Sequence, residues 1–355
     1  MTALRKITIT QFRNYDYQSF IFESPLIGIT GLNGSGKTNL LDAIYYLCYT
    51  KSYFQNKESN NVQNGKEGFR LEGQFTENGT GQTVTCIWRE GKKSISLDHV
   101  PYEKVTDHIG RYNAVMIAPD DVSIINESSE LRRRYMDAIL AQRDPQYLSC
   151  LLTYQKYLSQ RNAALKTGKY PDHQLLDIYD EQLAFHGSYL IGERIKLAAV
   201  LPHHISRHYQ ELSGGKEPVS ITYRQSSDPG NLQDMFKASR QRDMEYKRTL
   251  QGPHTEDWLF HIRDNMMKTH ASQGQKKSFL ISLKTSHILL LNELGKHPLL
   301  LLDDIFEKLD SQRLGRLFGL LRNFSIPQIF MTHTNAADLR QAIPRSYNDI
   351  QLHEL

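Results

Sequence analysis

Gly31-Leu-Asn-Gly-Ser-Gly36-Lys37-Thr38 fills every fixed position of the pattern G-x-x-x-x-G-K-[ST]. Each residue type has a chemical reason to be there. Glycines let backbone N–H groups curl around phosphate oxygens, and Lys37 reaches the β- and γ-phosphates. The Thr38 hydroxyl suits Mg²⁺, and a following helix aims its positive end at the anion. The neighbours agree. Leu26 to Thr30 is short, apolar and partly β-branched, as a strand should be. From Lys37 onward, Leu40, Leu41, Ile44, Leu47 and Cys48 keep helical spacing. A plain glycine-rich turn would need neither flank.

A phosphate loop needs an acidic partner. Pro298-Leu-Leu-Leu-Leu-Asp303-Asp304 reads as a buried strand ending in carboxylates at the edge of a sheet, next to that loop. Asp303 would hold Mg²⁺ through water, and Asp304 would orient and deprotonate an attacking water. Leu309-Asp310 follows at the distance of the "D-loop" of ABC-type ATPases. Gln328 to Met331 reads as another strand, ending in Thr332-His333, where a histidine can reach a γ-phosphate across a dimer.

Two stretches compete for the signature loop of such a machine. Leu212-Ser213-Gly214-Gly215-Lys216 has the familiar letters. Yet Ser213 stands 90 residues before Asp303, and Glu217-Pro218 and a strand follow it, which cannot open a helix. Ser272-Gln273-Gly274-Gln275 stands 31 residues before Asp303 and leads into a helix-spaced run, with Phe279, Leu280, Leu283, Ile288 and Leu291. Ser272 can cap that helix, and Gly274 allows close phosphate approach. We therefore read 272–275 as the working signature and 212–216 as coincidence. A signature that acts on another subunit's ATP implies an ATP-dependent head-to-tail homodimer.

The elements that must position these residues change character along the chain. The first 120 residues read mainly as strands, with a hairpin turn at Glu90-Gly-Lys-Lys93. Residues from about 120 to 212 read as helices, broken at Asp144-Pro145. A strand is expected over 218–224 and a charged helix over 231–248. Strand-and-helix texture returns after Gly252-Pro253. The expected organisation is one split α/β domain (1–118 and 251–355) with a helical lobe (119–250) inserted. The chain of 355 residues has 39% hydrophobic and 23% charged residues, which are globular values, and a net charge of +4. That balance permits a nucleic-acid surface without demanding one. Three scattered cysteines offer neither a zinc spacing nor a disulfide framework. No apolar run approaches membrane-spanning length, and the first ten residues lack a signal-peptide core. These features lead us to expect a cytoplasmic protein without a membrane span.

At this point the chain resembles the RecF family of bacterial recombination-mediator ATPases, which is related to SMC heads. Phe12-Arg-Asn-Tyr15, Asn33 to Ile44, Ala118-Pro-Asp-Asp121, Glu130 to Asp137, Gln142 to Tyr147, Gln160-Arg-Asn162, Gly252-Pro-His254, Ser272 to Gln275 and Leu301-Leu-Asp-Asp304 carry the resemblance, in that order. It implies an ABC-type P-loop ATPase head with a mixed sheet and an antiparallel β subdomain, lobe I, plus an inserted, mainly helical lobe II. It implies ATP contacts from Gly31, Asn33, Gly34, Ser35, Gly36, Lys37, Thr38, Asn39 and Arg13. It further implies ATP-driven dimerisation on double-stranded DNA near gaps, work with RecR and RecO in RecA loading, and slow hydrolysis. One departure stands out. The family's Ser-Glu-Leu-Asp is here Glu307-Lys-Leu-Asp310.

Arg132-Arg133-Arg134 opens a helix and could contact DNA phosphates or nucleotide, or equally form a salt-bridged face with Glu130 and Asp137. His254 could touch a phosphate or a partner, or be structural. A transporter's nucleotide-binding subunit is the alternative function; it would need 212–216 as signature and a lid glutamine. An ATPase-nuclease would need a further metal-carboxylate domain, for which the residues after Asp310 leave no room.

Overall fold

The computed structural model describes residues 2–77, 79–166, 173–215, 217–305, 310–344 and 349–355. In chain order it begins with β1 (Thr2–Phe12), β2 (Tyr15–Ile21), β3 (Leu26–Thr30), α1 (Lys37–Tyr49), β4 (Gly68–Glu77), β5 (Thr80–Arg89), β6 (Lys92–Leu97), β7 (Val100–Pro101) and β8 (Ala114–Ile117). Next come α2 (Ser123–Asn126), α3 (Ser129–Arg143), α4 (Pro145–Lys166), α5 (His173–Ser213), β9 (Val219–Arg224), α6 (Leu232–Tyr246), β10 (Asp257–Ile262), β11 (Asn265–Met266) and α7 (Met267–His270). The chain closes with α8 (Gln273–Asn292), β12 (Leu299–Leu302), α9 (Ser311–Leu321), β13 (Ile329–His333), α10 (Ala336–Ala342) and β14 (Ile350–Glu354).

Two compact units emerge, one of residues 1–121, 208–215 and 277–355, the other of 122–207 and 216–276. Their boundaries differ from the expected 118/119 and 250/251. The reason is that α5 and α8 each run through a boundary, so the last turns of α5 join the first unit and the start of α8 joins the second.

The first unit holds two sheets. One is antiparallel, in the order β2-β1-β4-β5-β6-β7. The other, β14-β3-β13-β12-β8, is parallel at every pairing. Every residue of β3, β8, β12 and β13 is buried, which explains their unbroken apolar runs: parallel strands are covered on both faces. α1 is buried from Leu40 to Tyr49 and shares one core with Leu4, Ile7 and Ile9 of β1, Ile27 and Ile29 of β3, and Phe69 and Leu71 of β4. A second core joins Leu314, Leu317 and Phe318 of α9 to Ile281, Ile288 and Leu291 of α8 and to Leu300 and Leu302 of β12. Gln328 stitches the sheets together, bonding both backbone groups of Leu4.

The second unit packs its helices with the sheet β11-β10-β9 around buried ion pairs. Arg161, fully buried, bonds Asp180 and Asp243. Arg194 bonds Asp137 and Glu256. Asn162 accepts from the Thr249 N–H and hydroxyl. In this unit, several of the stretches that carry the family resemblance thus form a polar framework holding helices together.

Candidate nucleotide site

β3 delivers the chain to Gly31 at the C-terminal edge of the parallel sheet. Gly31, Gly34 and Gly36 have φ of 147°, 86° and 114°, values that side-chain-bearing residues resist. Gly36 also needs its bare Cα, since a Cβ there would meet Asn14 Nδ2 at 2.5 Å and Tyr15 Oη at 2.9 Å. Those two residues brace the loop. Asn14 Nδ2 donates to the Ser35 carbonyl at 3.0 Å and the Tyr15 hydroxyl to that of Gly36 at 3.1 Å. Asn39 Nδ2 donates back to Asn14 at 2.8 Å.

Arg13, expected beside the nucleotide, is engaged with side chains of α1 and of residues 52 and 61. Its guanidinium bonds Asp42, Asn39 (2.7 Å), Ser52 (2.9 Å) and Asn61. Through Asn39 and Asn14 it is linked to the phosphate loop. Asp42 also accepts from Tyr53 N at 2.7 Å. The Tyr53 hydroxyl donates to Asp121, and the buried Lys284 of α8 donates to both, at 2.7 Å to Tyr53 and 3.0 Å to Asp121.

Leu32 is exposed, as are Asn33 and Gly34. Lys37 Nζ lies across the loop's carbonyls, 2.6 Å from Gly31 O and 2.8 Å from Leu32 O. The Ser35 hydroxyl is buried and has no partner among the described residues. A ring of left-handed glycines, an orphan hydroxyl donor and an ammonium suits a phosphate group.

The strand order sets the acidic side. β13 lies between β3 and β12, so the strand that ends at Asp303 is not paired with β3 although its carboxylate lies against the phosphate loop. The end of β13 fills the space between the two strands. Thr332 Oγ1 donates to Asp303 Oδ1 at 2.8 Å and accepts from Asp304 N at 2.8 Å. From the other side Thr38 Oγ1 stands 3.0 Å from both Asp303 oxygens. Burial pushes the Asp303 carboxyl above the usual range, the two threonine hydroxyls oppose this, and Asp304 adds to the rise. A hydroxyl and a carboxylate in contact are hard oxygen donors that match Mg²⁺, whose charge would offset the burial. Asp304 has φ of 47°, a left-handed conformation that costs about 1 kcal/mol or more and clusters at functional sites.

His333 is 7% exposed, and its Nδ1 accepts from Asn335 N at 2.9 Å. A neutral ring so bonded carries its proton on Nε2 and can donate. Asn335 in turn caps α10. Asp310 caps α9, accepting from Arg313 N at 2.8 Å. Leu309 and Glu307 lie outside the described residues.

In the second unit, Ser272 and Gln275 close a reciprocal cap at the start of α8. Gln275 N donates to Ser272 Oγ at 3.3 Å, and Ser272 N donates to Gln275 Oε1 at 2.7 Å. Ser272 and Gln273 are exposed and Gly274 is half-buried. Gln275 Nε2 also donates to Glu217 at 2.8 Å. The rival stretch does the opposite. Ser213 ends α5, and Gly214 and Gly215, at φ of 78° and 76°, both donate to Gln210 O at 3.0 Å, which is a helix C-terminal cap. Lys216 lies outside the described residues.

Arg132 grips Asp257 through Nε at 2.8 Å and Nη2 at 3.1 Å, and Arg133 donates to Glu256 O at 2.5 Å. The expected Asp137 and Glu130 also act on Arg133 electrostatically. Arg134, next along α3, also has an interaction within the chain. His254 sits between the Tyr154 hydroxyl (2.7 Å) and Thr249 O (3.1 Å), and burial pulls its pKa down to about 4. It is therefore neutral near pH 7 and structural. Thr332 and Lys284 went unread in the sequence. Thr332 had one usable signal, its place at the end of a strand that could insert between the other two. Lys284 had none, since its partners are 163 and 231 residues away.

The family model described as "RecF/RecN/SMC N terminal domain" matches residues 3–349. "DNA replication and repair protein RecF" of Cytophaga hutchinsonii is 36% identical over 333 residues, covering 93% of this chain and 88% of that one. The solved "Structure of the recombination mediator protein RecF-ATP in RecFOR pathway" superposes with a TM-score of 0.88 at 31% identity, covering 95% of this chain and 93% of the other. A Smc head domain from Pyrococcus furiosus, at 14% identity and a TM-score of 0.54 over 96% and 92% of the two chains, shares the fold.

Proposed function

The chain belongs to the RecF family, and we propose that it is an ATP-dependent DNA-binding protein of recombinational repair. The carrying observation is the Asp303 carboxylate, held between the hydroxyls of Thr38 and Thr332 at the edge that bears the phosphate loop. In this reading Lys37 and the N–H groups of residues 31–38 bind the β- and γ-phosphates of ATP. Thr38, and Asp303 through water, hold Mg²⁺, which supplies charge neutralisation when bound. Asp304 orients and deprotonates the attacking water. Its side chain is one methylene shorter than a glutamate, which fits slow hydrolysis. His333 donates from Nε2 to the γ-phosphate. Ser272 to Gln275 of a second copy present a helix N-terminus to the same phosphate, and Leu309-Asp310 line the dimer contact.

Two copies closed over ATP would then clamp double-stranded DNA near gaps, in the cytoplasm, and act with RecR and RecO in RecA loading. The relative solved with ATP is described within the RecFOR pathway, which supports those partners. Absent any base-reading motif, contact with DNA should be through phosphates and weaken steeply with salt. The transporter reading is not retained: its signature closes a helix instead of opening one, and the relatives are repair proteins.

Light scattering of Asp304→Asn at saturating Mg-ATP tests the proposal. The expected result is a dimer that reverts to monomer when nucleotide is removed, with gapped duplex bound more tightly in the dimeric form. Monomers under those conditions, with ATP binding confirmed by a separate titration, would overturn it.

A further inference from the structure

The phosphate loop contains the pair Asn33-Gly34, which has a chemistry of its own. The side-chain amide of an asparagine can be attacked by the backbone nitrogen of the next residue when nothing crowds the approach. Glycine, with no Cβ, leaves it most open. Asn33 and Gly34 are both exposed, and a Cβ at Gly34 would meet nothing within 4 Å. The turn is closed around them rather than through them, since Ser35 N donates to Leu32 O at 3.2 Å. Among the described residues, neither the Asn33 side chain nor Gly34 N has a hydrogen bond that would hold it. Asn39 and Asn14, close by, contrast with this. Their side chains bond each other, and Asn39 also accepts from Arg13.

Charge at the loop favours the same reaction. Lys37 Nζ lies 2.8 Å from Leu32 O, and α1 opens at Lys37 with its positive end toward the loop. Positive potential favours loss of a proton from a nearby group. We propose that Asn33 is a site of spontaneous deamidation and that bound nucleotide shields it. Gly34 N, giving its proton to solvent hydroxide, attacks Asn33 Cγ. The new C–N bond closes a cyclic imide, and the bond from Cγ to the side-chain nitrogen breaks, releasing ammonia. Water then opens the imide at either carbonyl, leaving aspartate or isoaspartate at position 33. Both products put a negative charge where phosphates must sit. Isoaspartate also lengthens the backbone and displaces the N–H groups after it. The shielding half rests on the nucleotide reading, in which the N–H groups of the loop are held by phosphates. The deamidation half does not.

The test ages the full-length protein in warm, mildly alkaline buffer, with and without Mg-ADP, and maps its peptides by mass spectrometry. ADP keeps a β-phosphate for the loop and is not consumed by hydrolysis. Asn64-Gly65, the same dipeptide in an exposed turn before β4, is the internal comparison. Without nucleotide, Asn33 should convert at least as fast as Asn64, and the converted chain should bind ADP roughly tenfold more weakly or worse. With ADP at about a hundred times its Kd, roughly one loop in a hundred is open, so conversion at Asn33 should slow at least tenfold while Asn64 is unaffected. Asn33→Gln, whose longer side chain closes the imide slowly, should keep its own starting affinity through the same treatment. Conversion at Asn33 that is absent, or slower than at Asn64, would overturn the proposal. An equal decline of affinity in Asn33→Gln would overturn the link to binding. Conversion as fast with ADP bound would overturn the shielding. Failure of the fresh protein to bind ADP in a separate titration would count against the nucleotide reading instead.

Discussion

Ser213-Gly-Gly215 and Ser272-Gln-Gly274 contain nearly the same letters and sit at opposite ends of helices. The first closes α5: two left-handed glycines turn their N–H groups back onto Gln210 O. The second opens α8: its serine and Gln275 satisfy each other's N–H groups, and Ser272 and Gln273 are exposed. A helix start carries partial positive charge and free donors, while a helix end carries the reverse. Of the two, the second stretch therefore has the polarity that favours a phosphate. The letters say that a helix terminus is near. The residues immediately downstream, a proline and a strand in one case and an apolar helical run in the other, say which terminus it is.

The contrast depends on α8 being fixed, and it can be broken there first. His208 near the end of α5 shares hydrogen bonds with Thr285 and Ser286 of α8, at 3.1 Å each. Lys284 pairs with Asp121 in the interior. Lys284→Met should strand the Asp121 carboxylate and cost about 3 kcal/mol or more in chemical denaturation. It should also disturb the loop brace through Tyr53 and Asp42. A loss below about 1 kcal/mol would mean that α8 is held without this pair.

Ser272→Ala comes next. Losing the cap should cost about 1 kcal/mol of stability. Losing a preorganised phosphate contact should lower ATP hydrolysis on the order of a hundredfold, with ATP binding to the isolated chain little changed. Equal losses in hydrolysis from Ser272→Ala and Ser213→Ala would erase the distinction. Gly214→Ala should cost about 1–2 kcal/mol, because φ is 78° and the new Cβ would meet Arg316 Nη1 at 2.7 Å. Its hydrolysis per folded molecule should be unaffected.

Legibility in the sequence tracks the range of the interactions. The phosphate loop, the acidic strand and the cap at Ser272 depend on residues within a few positions, and chemistry at that range leaves a spacing. The hairpin at Glu90-Gly91 was legible likewise, both residues taking left-handed φ. The bonds of Arg13 were not legible because its partners come from α1 and from residues 52 and 61, which no spacing connects to it. Thr332 was missed because the order of strands in the parallel sheet, which puts β13 between β3 and β12, is set by packing across the sheet. The second unit runs past the expected 250/251 for a related reason. α8 is one helix by local sequence but belongs to two units by its contacts.

Ser213→Ala is the smallest expected effect and the sharpest test of the reading of 211–215. The Ser213 hydroxyl is buried and has no hydrogen-bond partner among the described residues. Removing an unsatisfied buried polar group takes away its desolvation cost without breaking a bond. Stability should therefore stay within about 0.5 kcal/mol or rise, and hydrolysis should match the parent. A serine reaching a γ-phosphate could not be lost with so little effect. If Ser213→Ala depresses hydrolysis severalfold at unchanged stability, the end of α5 must meet nucleotide in some assembly of the chain, and position on the helix would no longer separate the two stretches.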